Sequence, residues 1–419
     1  MINFSRFELA NGLRVLVHED DSTPMAAVNV LYDVGARDEL PDKTGFAHLF
    51  EHLMFGGSLN VPDFDDPIQL AGGENNAFTN NDMTNFYDTL PAQNIETAFW
   101  LESDRMLSLN FSRKVLNVQR KVVVEEFKET CLNEPYGDMM HLLSDLIYKQ
   151  HPYRWPTIGL ETSHIEGATM KDVRQFFFKY YRPNNAILVV TGNVKTEDIR
   201  LLAEKWFGDI PRGEVPPRQL PAEPEQTEFR QFTKEANVPV DSIYLAFRMA
   251  ARSDPDFYVA DLLSDILCTG PSSRLFRHLL KERQLFSSID CYVSSYLDPG
   301  FFLIEGKPAA GVSLETATAA IWEELEKLKR ELIEATELQK IKNKAESNLI
   351  FSEMSALNKA INLAFFELLG DADLINKESE IYQKISAEDL QRVANQLFRL
   401  ENCSQLNYVA RPAVSPSDN

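Results

Sequence analysis

The spacing of apolar and polar residues along the chain changes repeatedly between the two-residue period of strands and the longer period of helices. In the first half it predicts strands on either side of an Asn-Gly turn at 11–12, over 26–32, within 76–90 and over 186–192. It predicts helices over 64–71, 95–107, 113–133, 170–180 and 194–207, and one more that ends at Gly56. In the second half it predicts strands near 242–250, 287–305 and 405–409, with helices from 256 and up to 398. Strands and helices mixed in two similar halves predict an α+β fold of two domains, each a sheet covered by helices.

A proline-rich stretch separates the two halves. Residues 208–228 contain five prolines, several charges and few apolar side chains, which is typical of a domain boundary. A chain of 419 residues is also too long for one typical core. We therefore expect a metal-bearing domain over 1–212, a linker over 213–228 and a second domain over 229–419.

Candidate metal chemistry lies in the helix that ends at Gly56. His48 and His52 stand four residues apart with Glu51 between them, so all three share one face of a helix. Two imidazoles make half of a zinc site, and the carboxylate beside them is a candidate general base. Packed core histidines are the alternative, but the i, i+4 pair with a glutamate favours a metal.

A hydrolytic zinc site needs a third protein ligand, and the helix over 113–133 is the best supplier. On this helix Gln119, Val122, Glu126 and Glu129 share a face, whereas Glu125 points about 100° away. The alternative for any of these carboxylates is a solvated helix face, and this alternative is strong for Glu125 and Glu129.

The metal-bearing segment has a counterpart in the second half of the chain. The apolar positions of 47–52 match those of 260–265, and a glycine follows each segment. At the metal-type positions the second copy has Asp261, Ser264 and Asp265. We interpret this as a duplicated fold in which only the first copy keeps the metal chemistry; the alternative is that two buried amphipathic helices share a pattern by chance.

Charge and composition limit the partners and the compartment. A formal net charge of −21 argues against nucleic acid and anionic membrane surfaces as partners and favours solubility. Cationic ligands are one interpretation of this charge, and an ordinary acidic cytosolic protein is the alternative. No window of 18 residues is apolar enough to span a membrane. The N-terminal residues have no signal-peptide pattern, and the four cysteines have no paired spacing. We therefore expect a cytoplasmic protein with free thiols.

These motifs resemble those of the pitrilysin, insulin-degrading enzyme and mitochondrial processing peptidase family. His-x-x-Glu-His is the inverzincin signature, and here it lies within the family's longer glycine-bounded pattern over 45–57. The family's Asn-Ala-x-Thr strand is matched over 76–79, and its Arg-x-x-Val-x-x-Glu helix over 120–126. His-Pro-Tyr at 151–153 and the turn over 181–186 are similar too, so the resemblance spans essentially the whole chain.

The resemblance implies a zinc-dependent metalloendopeptidase. Its two duplicated domains would each have a mainly antiparallel sheet and would face each other across a chamber. It implies a general base, Glu51, and zinc ligands that are His48, His52 and Glu126. The peptide substrate would bind as an extended strand along Asn76, Ala77, Phe78 and Thr79. At Gln119 the family usually has a glutamate that supports a ligand; an amide can accept a hydrogen bond there but carries no charge.

One departure from the family pattern concerns the second domain. Active members carry an arginine and, seven residues later, a tyrosine that hold the substrate; here Leu280 and Ser287 stand at those positions. Some members divide the site between two chains, which predicts that this chain is the zinc-bearing half of a heterodimer with a homologous partner. A homodimer is also possible. The alternative from another class is a non-catalytic assembly or peptide-binding subunit.

Overall fold

A computed structural model describes residues 1–215 and 217–411; Pro216 of the predicted linker and 412–419 lie outside this range. The described chain forms two compact units. Unit 1 comprises Met1–Phe127, Trp155–Pro221 and Leu349–Glu378. Unit 2 comprises Lys128–Arg154, Ala222–Asn348 and the chain from Ser379 onwards.

The strands of unit 1 form a mixed, mainly antiparallel sheet. They are β1 (Ser5–Glu8), β2 (Arg14–Glu19), β3 (Met25–Tyr32), β4 (Glu74–Thr79), β5 (Thr84–Pro91) and β6 (Ala186–Gly192). Their order is β1-β2-β6-β3-β5-β4, and β2–β6 is the parallel pair. The strands of unit 2 are β7 (Arg230–Ala236), β8 (Ser242–Arg248), β9 (Phe286–Val293), β10 (Phe301–Pro308) and β11 (Cys403–Ala410). Their order is β7-β11-β8-β10-β9, with β7–β11 parallel.

Helices alternate with these strands along the chain. In the first half they are α1 (Phe46–Met54), α2 (Asp65–Leu70), α3 (Glu96–Leu107), α4 (Arg113–Phe127), α5 (Met139–Ile147), α6 (Thr162–Glu166), α7 (Met170–Tyr180) and α8 (Thr196–Phe207). In the second half they are α9 (Pro255–Cys268), α10 (Leu314–Arg330), α11 (Ala335–Ser352), α12 (Ala356–Leu368), α13 (Leu374–Lys384) and α14 (Ala387–Leu397). Two π-helical segments add Lys128–Asn133 and Phe276–Glu282.

The predicted α+β class with two similar domains is confirmed. Without β1, the first sheet has the same strand order as the second, and its parallel pair stands at the same end. Each sheet is covered by helices, as the mixed apolar pattern predicts. The duplication therefore extends from the sequence to the order and direction of the strands.

Both faces of the first sheet are buried. Along β3, Val28 and Val30 belong to one core cluster, while Ala27 and Leu31 belong to another on the opposite face. This alternation follows from the two-residue period of a strand, and it makes the strand apolar on both sides. The second face is covered by α12.

The covering helices come from unexpected parts of the sequence. Helix α12 lies in the second half of the chain but packs on the sheet of unit 1, while α5 lies in the first half but packs on the sheet of unit 2. Compared with the expected division at 212 and 229, unit 1 therefore includes Leu349–Glu378 from the second half of the chain, and unit 2 includes Lys128–Arg154 from the first half. The apolar face of each helix is readable from the sequence, but the sheet that it covers is not.

Most elements lie where the apolar pattern predicts them. The helix expected over 113–133 leaves the α-helical form after Phe127 and continues as a π-helical segment. Helices α5 and α6, strand β7 and the π-helical segment Phe276–Glu282 have no counterpart in the prediction. All four cysteines are buried, and none of them forms a disulfide. Within the described residues, no helix is both long enough and apolar enough to cross a membrane.

Candidate metal centre

Helix α1 has a buried apolar face and a half-buried face, called the chemical face here, that carries His48, Glu51 and His52. Phe46, Ala47, Leu49, Phe50, Leu53 and Met54 are buried. The ring of Phe50 stacks on that of Tyr181, with centroids 5.3 Å apart, and this contact fixes the helix against the core. His48, Glu51 and His52 lie on the remaining face, as their spacing predicts.

The structure brings His48, His52 and Glu126 together. The two Nε2 atoms of the histidines are 3.3 Å apart. Glu126 on α4 places Oε1 at 3.6 Å from His48 Nε2 and Oε2 at 3.4 Å from His52 Nε2. Within the described ranges, this is the cluster of His, Cys, Asp or Glu side chains close enough to hold a metal ion together.

This triangle fits a zinc ion. Zinc bonds to imidazole nitrogen and carboxylate oxygen are about 2.0–2.2 Å long, so neighbouring ligands of a tetrahedral site lie about 3.3–3.5 Å apart. The histidine nitrogens are 3.3 Å apart, and each lies 3.4–3.6 Å from a different oxygen of Glu126. One ligand atom from each of the three residues lies within 4.8 Å of the other two, which is close enough to hold one ion. Three nitrogen and oxygen ligands with a solvent-accessible side are typical of a hydrolytic zinc site, and the Glu126 side chain is 38% exposed.

The protonation states of the ligands suit a metal. Burial lowers the pKa of His48, although Glu126 acts in the opposite direction. The hydrogen bond with His52 lowers the pKa of Glu126. A neutral imidazole and an ionised carboxylate are the forms that bind metal ions, so little proton release is needed at neutral pH.

Glu51 is next to this triangle and is held by β4. The Thr79 hydroxyl donates a hydrogen bond of 2.6 Å to Glu51 Oε2. Burial raises the pKa of Glu51, and the Thr79 bond partly opposes this shift. A partly buried carboxylate with a raised pKa and one free oxygen is suited to proton transfer.

The other residues of the predicted substrate strand all lie on β4. This strand is at the edge of the first sheet, so its outer backbone groups have no strand neighbour in the described chain. Ala77 packs against the core on the α1 side, whereas Phe78 packs on the opposite face. Asn76 Oδ1 accepts a hydrogen bond from the backbone N–H of Ala77. The four residues therefore belong to one strand but present their side chains to different faces.

Gln119 is half-buried on α4, two helical turns before Glu126. Its support of the metal ligands stays a prediction. The sequence offers no signal for the bond between Thr79 and Glu51, because it depends on the register of β4 against α1.

The duplicated helix α9 has protein partners at its metal-type positions. Asp261 accepts a hydrogen bond from the Tyr382 hydroxyl, and Asp265 lies 3.4 Å from Lys344 Nζ. The Ser264 hydroxyl bonds to the backbone carbonyl of Asp261. This arrangement is what a copy without metal chemistry requires, because each polar side chain is satisfied locally.

The positions of the missing arginine and tyrosine offer no replacement donors. Leu280 lies in the π-helical segment of unit 2, and the Ser287 hydroxyl donates to the Lys307 carbonyl at 3.1 Å. The neighbouring Arg283 is paired with Glu323, and Arg277 contacts His278. Both nearby guanidinium groups are thus already engaged.

Comparisons with known families give two matches in series. The model described as insulinase (peptidase family M16) matches residues 14–159. The model described as peptidase M16 inactive domain matches residues 167–345.

Individual proteins are similar over nearly the whole chain. The zinc protease PqqE of Helicobacter pylori is 30% identical over 397 residues, which cover 93% of this chain and 89% of that protein. The uncharacterized zinc protease YmxG of Bacillus subtilis is 27% identical and covers 99% and 98% of the two chains. The crystal structure of a protease from Helicobacter pylori has a TM-score of 0.92 at 28% identity, with 98% and 100% coverage.

Proposed function

Since this chain belongs to the insulinase family of peptidases (family M16), we propose that it is a zinc-dependent metallopeptidase subunit that hydrolyses unfolded peptides. One observation carries the proposal: beside Glu51, His48, His52 and Glu126 each offer a ligand atom within 4.8 Å of the other two. Relatives named zinc proteases support it.

Each residue near the triangle has a role in the proposed reaction. His48, His52 and Glu126 would hold the zinc ion, which would supply an electrophile to activate water and polarise the peptide carbonyl. Glu51 accepts the proton of the attacking water and passes it to the leaving amine. Thr79 holds one oxygen of Glu51, so the other oxygen is free to take the proton.

The substrate is proposed to pair with β4. Its free outer edge offers backbone donors and acceptors to an extended peptide, and such pairing selects weakly for side chains. Asn76, Ala77, Phe78 and Thr79 would form this contact. The Ala77 and Thr79 side chains lie on the face of β4 that packs towards α1, so a peptide paired there would pass close to Glu51.

A homologous partner chain is part of the proposal. Leu280 has no donor, and Ser287 is shorter than a tyrosine and already donates to the Lys307 carbonyl, so we propose that a sister chain with the arginine and tyrosine completes the site. A homodimer is the weaker variant, because a second copy would bring the same leucine and serine. The proposed compartment is the cytoplasm, which cell fractionation tests directly.

The decisive experiment is Glu51→Gln. Purified wild-type and variant chains are assayed with a fluorogenic peptide, each with and without a sister chain that carries the arginine and tyrosine, and zinc content is measured in parallel. We expect the variant to lose turnover while it retains stoichiometric zinc. Near-native turnover by the variant would show that the base is assigned wrongly, and full activity of the wild-type chain alone would refute the need for a partner.

The second candidate function is a non-catalytic assembly or peptide-binding subunit. The residues at 280 and 287 favour it, because an isolated chain has neither the arginine nor the tyrosine of active members there. The two functions predict different results in the same assay. A binding subunit would take up peptide but would show no turnover in any combination of chains.

A further inference from the structure

The metal-bearing helix α1 has no cap of its own at its N-terminal end. Gly45 is the N-cap residue, and it has no side chain to accept the first backbone N–H groups. These groups have no partner inside the helix and need an acceptor from elsewhere when they are buried. Most helices take this acceptor from a serine, threonine or aspartate at the N-cap position.

A local cap is sterically impossible at this position. Gly45 has a left-handed backbone with φ of +83°, which disfavours any residue with a Cβ. A Cβ there would also lie 2.7 Å from the carbonyl oxygen of Ile158. The close approach of the 158 backbone therefore excludes serine, threonine and aspartate from the N-cap.

Glu39 supplies the acceptor from six residues upstream. Its Oε2 accepts the N–H of Gly45 at 2.9 Å, and its Oε1 accepts the N–H of Ala47 at 2.8 Å. The residue is only 6% exposed, so water does not compete for these bonds. A carboxylate at the start of a helix also interacts favourably with the helix dipole.

The cap is adjacent to a proposed metal ligand. Ala47, whose N–H is held by Glu39, immediately precedes His48 in the chain. Histidine ligands are normally oriented by a hydrogen bond from the ring nitrogen that faces away from the metal. In the described residues, His48 Nδ1 is buried and has no such partner. The orientation of this ring therefore depends on its helix backbone.

We propose that Glu39 is a positioning residue for the metal centre. By holding both Gly45 and Ala47, its carboxylate fixes the first turn of α1 and so sets the His48 ring against His52 and Glu126. This inference rests on the proposed zinc site and extends it to a residue that touches neither the metal nor the substrate.

The test compares zinc affinity with helix stability. Glu39→Gln keeps one acceptor oxygen, and Glu39→Ala removes both. Ser386→Ala is the matched control, because Ser386 caps α14 in unit 2 through the N–H of Asp389. For each full-length chain, the zinc Kd is measured by competition with a chelator, and thermal unfolding of the zinc-free protein is measured beside it.

Loss of a group that orients a metal ligand typically weakens metal binding by about 10- to 100-fold. We expect about tenfold weaker zinc binding for Glu39→Gln and about 100-fold for Glu39→Ala, with Ser386→Ala within about twofold of wild type. If Glu39→Ala does not fold, Glu39→Gln decides. Wild-type affinity in the glutamine variant overturns the role of Glu39 even if its unfolding temperature falls. A wild-type chain that binds no zinc refutes the proposed function itself.

Discussion

The hydrogen bond between Thr79 and Glu51 gives the sharpest test of how the site works. Thr79→Val removes the hydroxyl and keeps the shape of the side chain, so the change isolates the 2.6 Å bond to Glu51 Oε2. A hydrogen bond to a charged group contributes about 1.5–3 kcal/mol, which corresponds to about a 10- to 150-fold effect on a rate. Both side chains are only half-buried, so the lower end applies. We expect kcat to fall about tenfold.

The assay separates this role from substrate binding. If Thr79 orients the base, the valine variant lowers kcat and leaves KM and zinc content nearly unchanged, because the peptide pairs with the strand backbone rather than with the hydroxyl. If Thr79 mainly holds substrate, KM rises instead. Thr79→Ser is the control, since it keeps the hydroxyl. A valine variant with kcat within twofold of wild type would refute the reasoning, as would a serine variant that is equally slow.

Three further predictions concern the third metal ligand, the packing of the core and the loss of stability at low pH. Glu126→Gln should weaken zinc binding by at least about 100-fold in chelator competition, whereas Glu125→Gln on the same helix should not; equal affinities would exclude Glu126 as a ligand. Leu363→Ala should lower the free energy of unfolding by about 2–5 kcal/mol in a urea titration, because Leu363 is fully buried between α12 and the first sheet; a change below about 1 kcal/mol would contradict that packing. The hydrogen bond from Lys359 lowers the pKa of Asp20 well below its usual range. The ionised Asp20 therefore stabilises the folded protein fully above about pH 4, and this stabilisation is lost as the pH falls further. Lys359→Gln should therefore lose less stability than wild type between pH 4 and pH 2, and parallel curves would refute this ion pair.

The helix that carries the proposed metal ligands forms where the sequence predicts it, because the information for it is local. Two histidines and a glutamate at helical spacing define one face, and the apolar residues between them define the other. The choice between Glu126 and Glu129 is different in kind. Periodicity puts both on one face of the predicted helix and favours a solvated position for Glu129, and the resemblance then identifies Glu126 as the ligand. In the structure Glu126 is the one within 3.6 Å of both imidazoles.

Elements without an apolar period escape sequence analysis. Strand β7 has a mostly exposed, polar pattern, because it is an edge strand that takes its backbone bonds from β11. Helix α5 has nine residues, as α1 does, but its short apolar run carries no motif that favours a helix over a strand. The sheet that each covering helix packs against depends on the register of distant segments, which no local pattern encodes.

Comparison of α1 with α9 explains why one copy of a duplicated fold can lose its chemistry without losing its structure. Most of α9 is buried, and its polar positions are bound by Tyr382 and Lys344. Helix α1 instead leaves its chemical face half-open and takes its N-terminal acceptor from Glu39. A helix that carries metal ligands must leave those side chains exposed and yet keep them in fixed positions. The contacts that fix α1 therefore lie on its buried face and at its N-terminal end. Helix α9 carries no metal ligands, so each of its polar side chains can be hydrogen-bonded or paired within the protein. We infer that the two helices diverged because only α1 has to keep ligand side chains exposed.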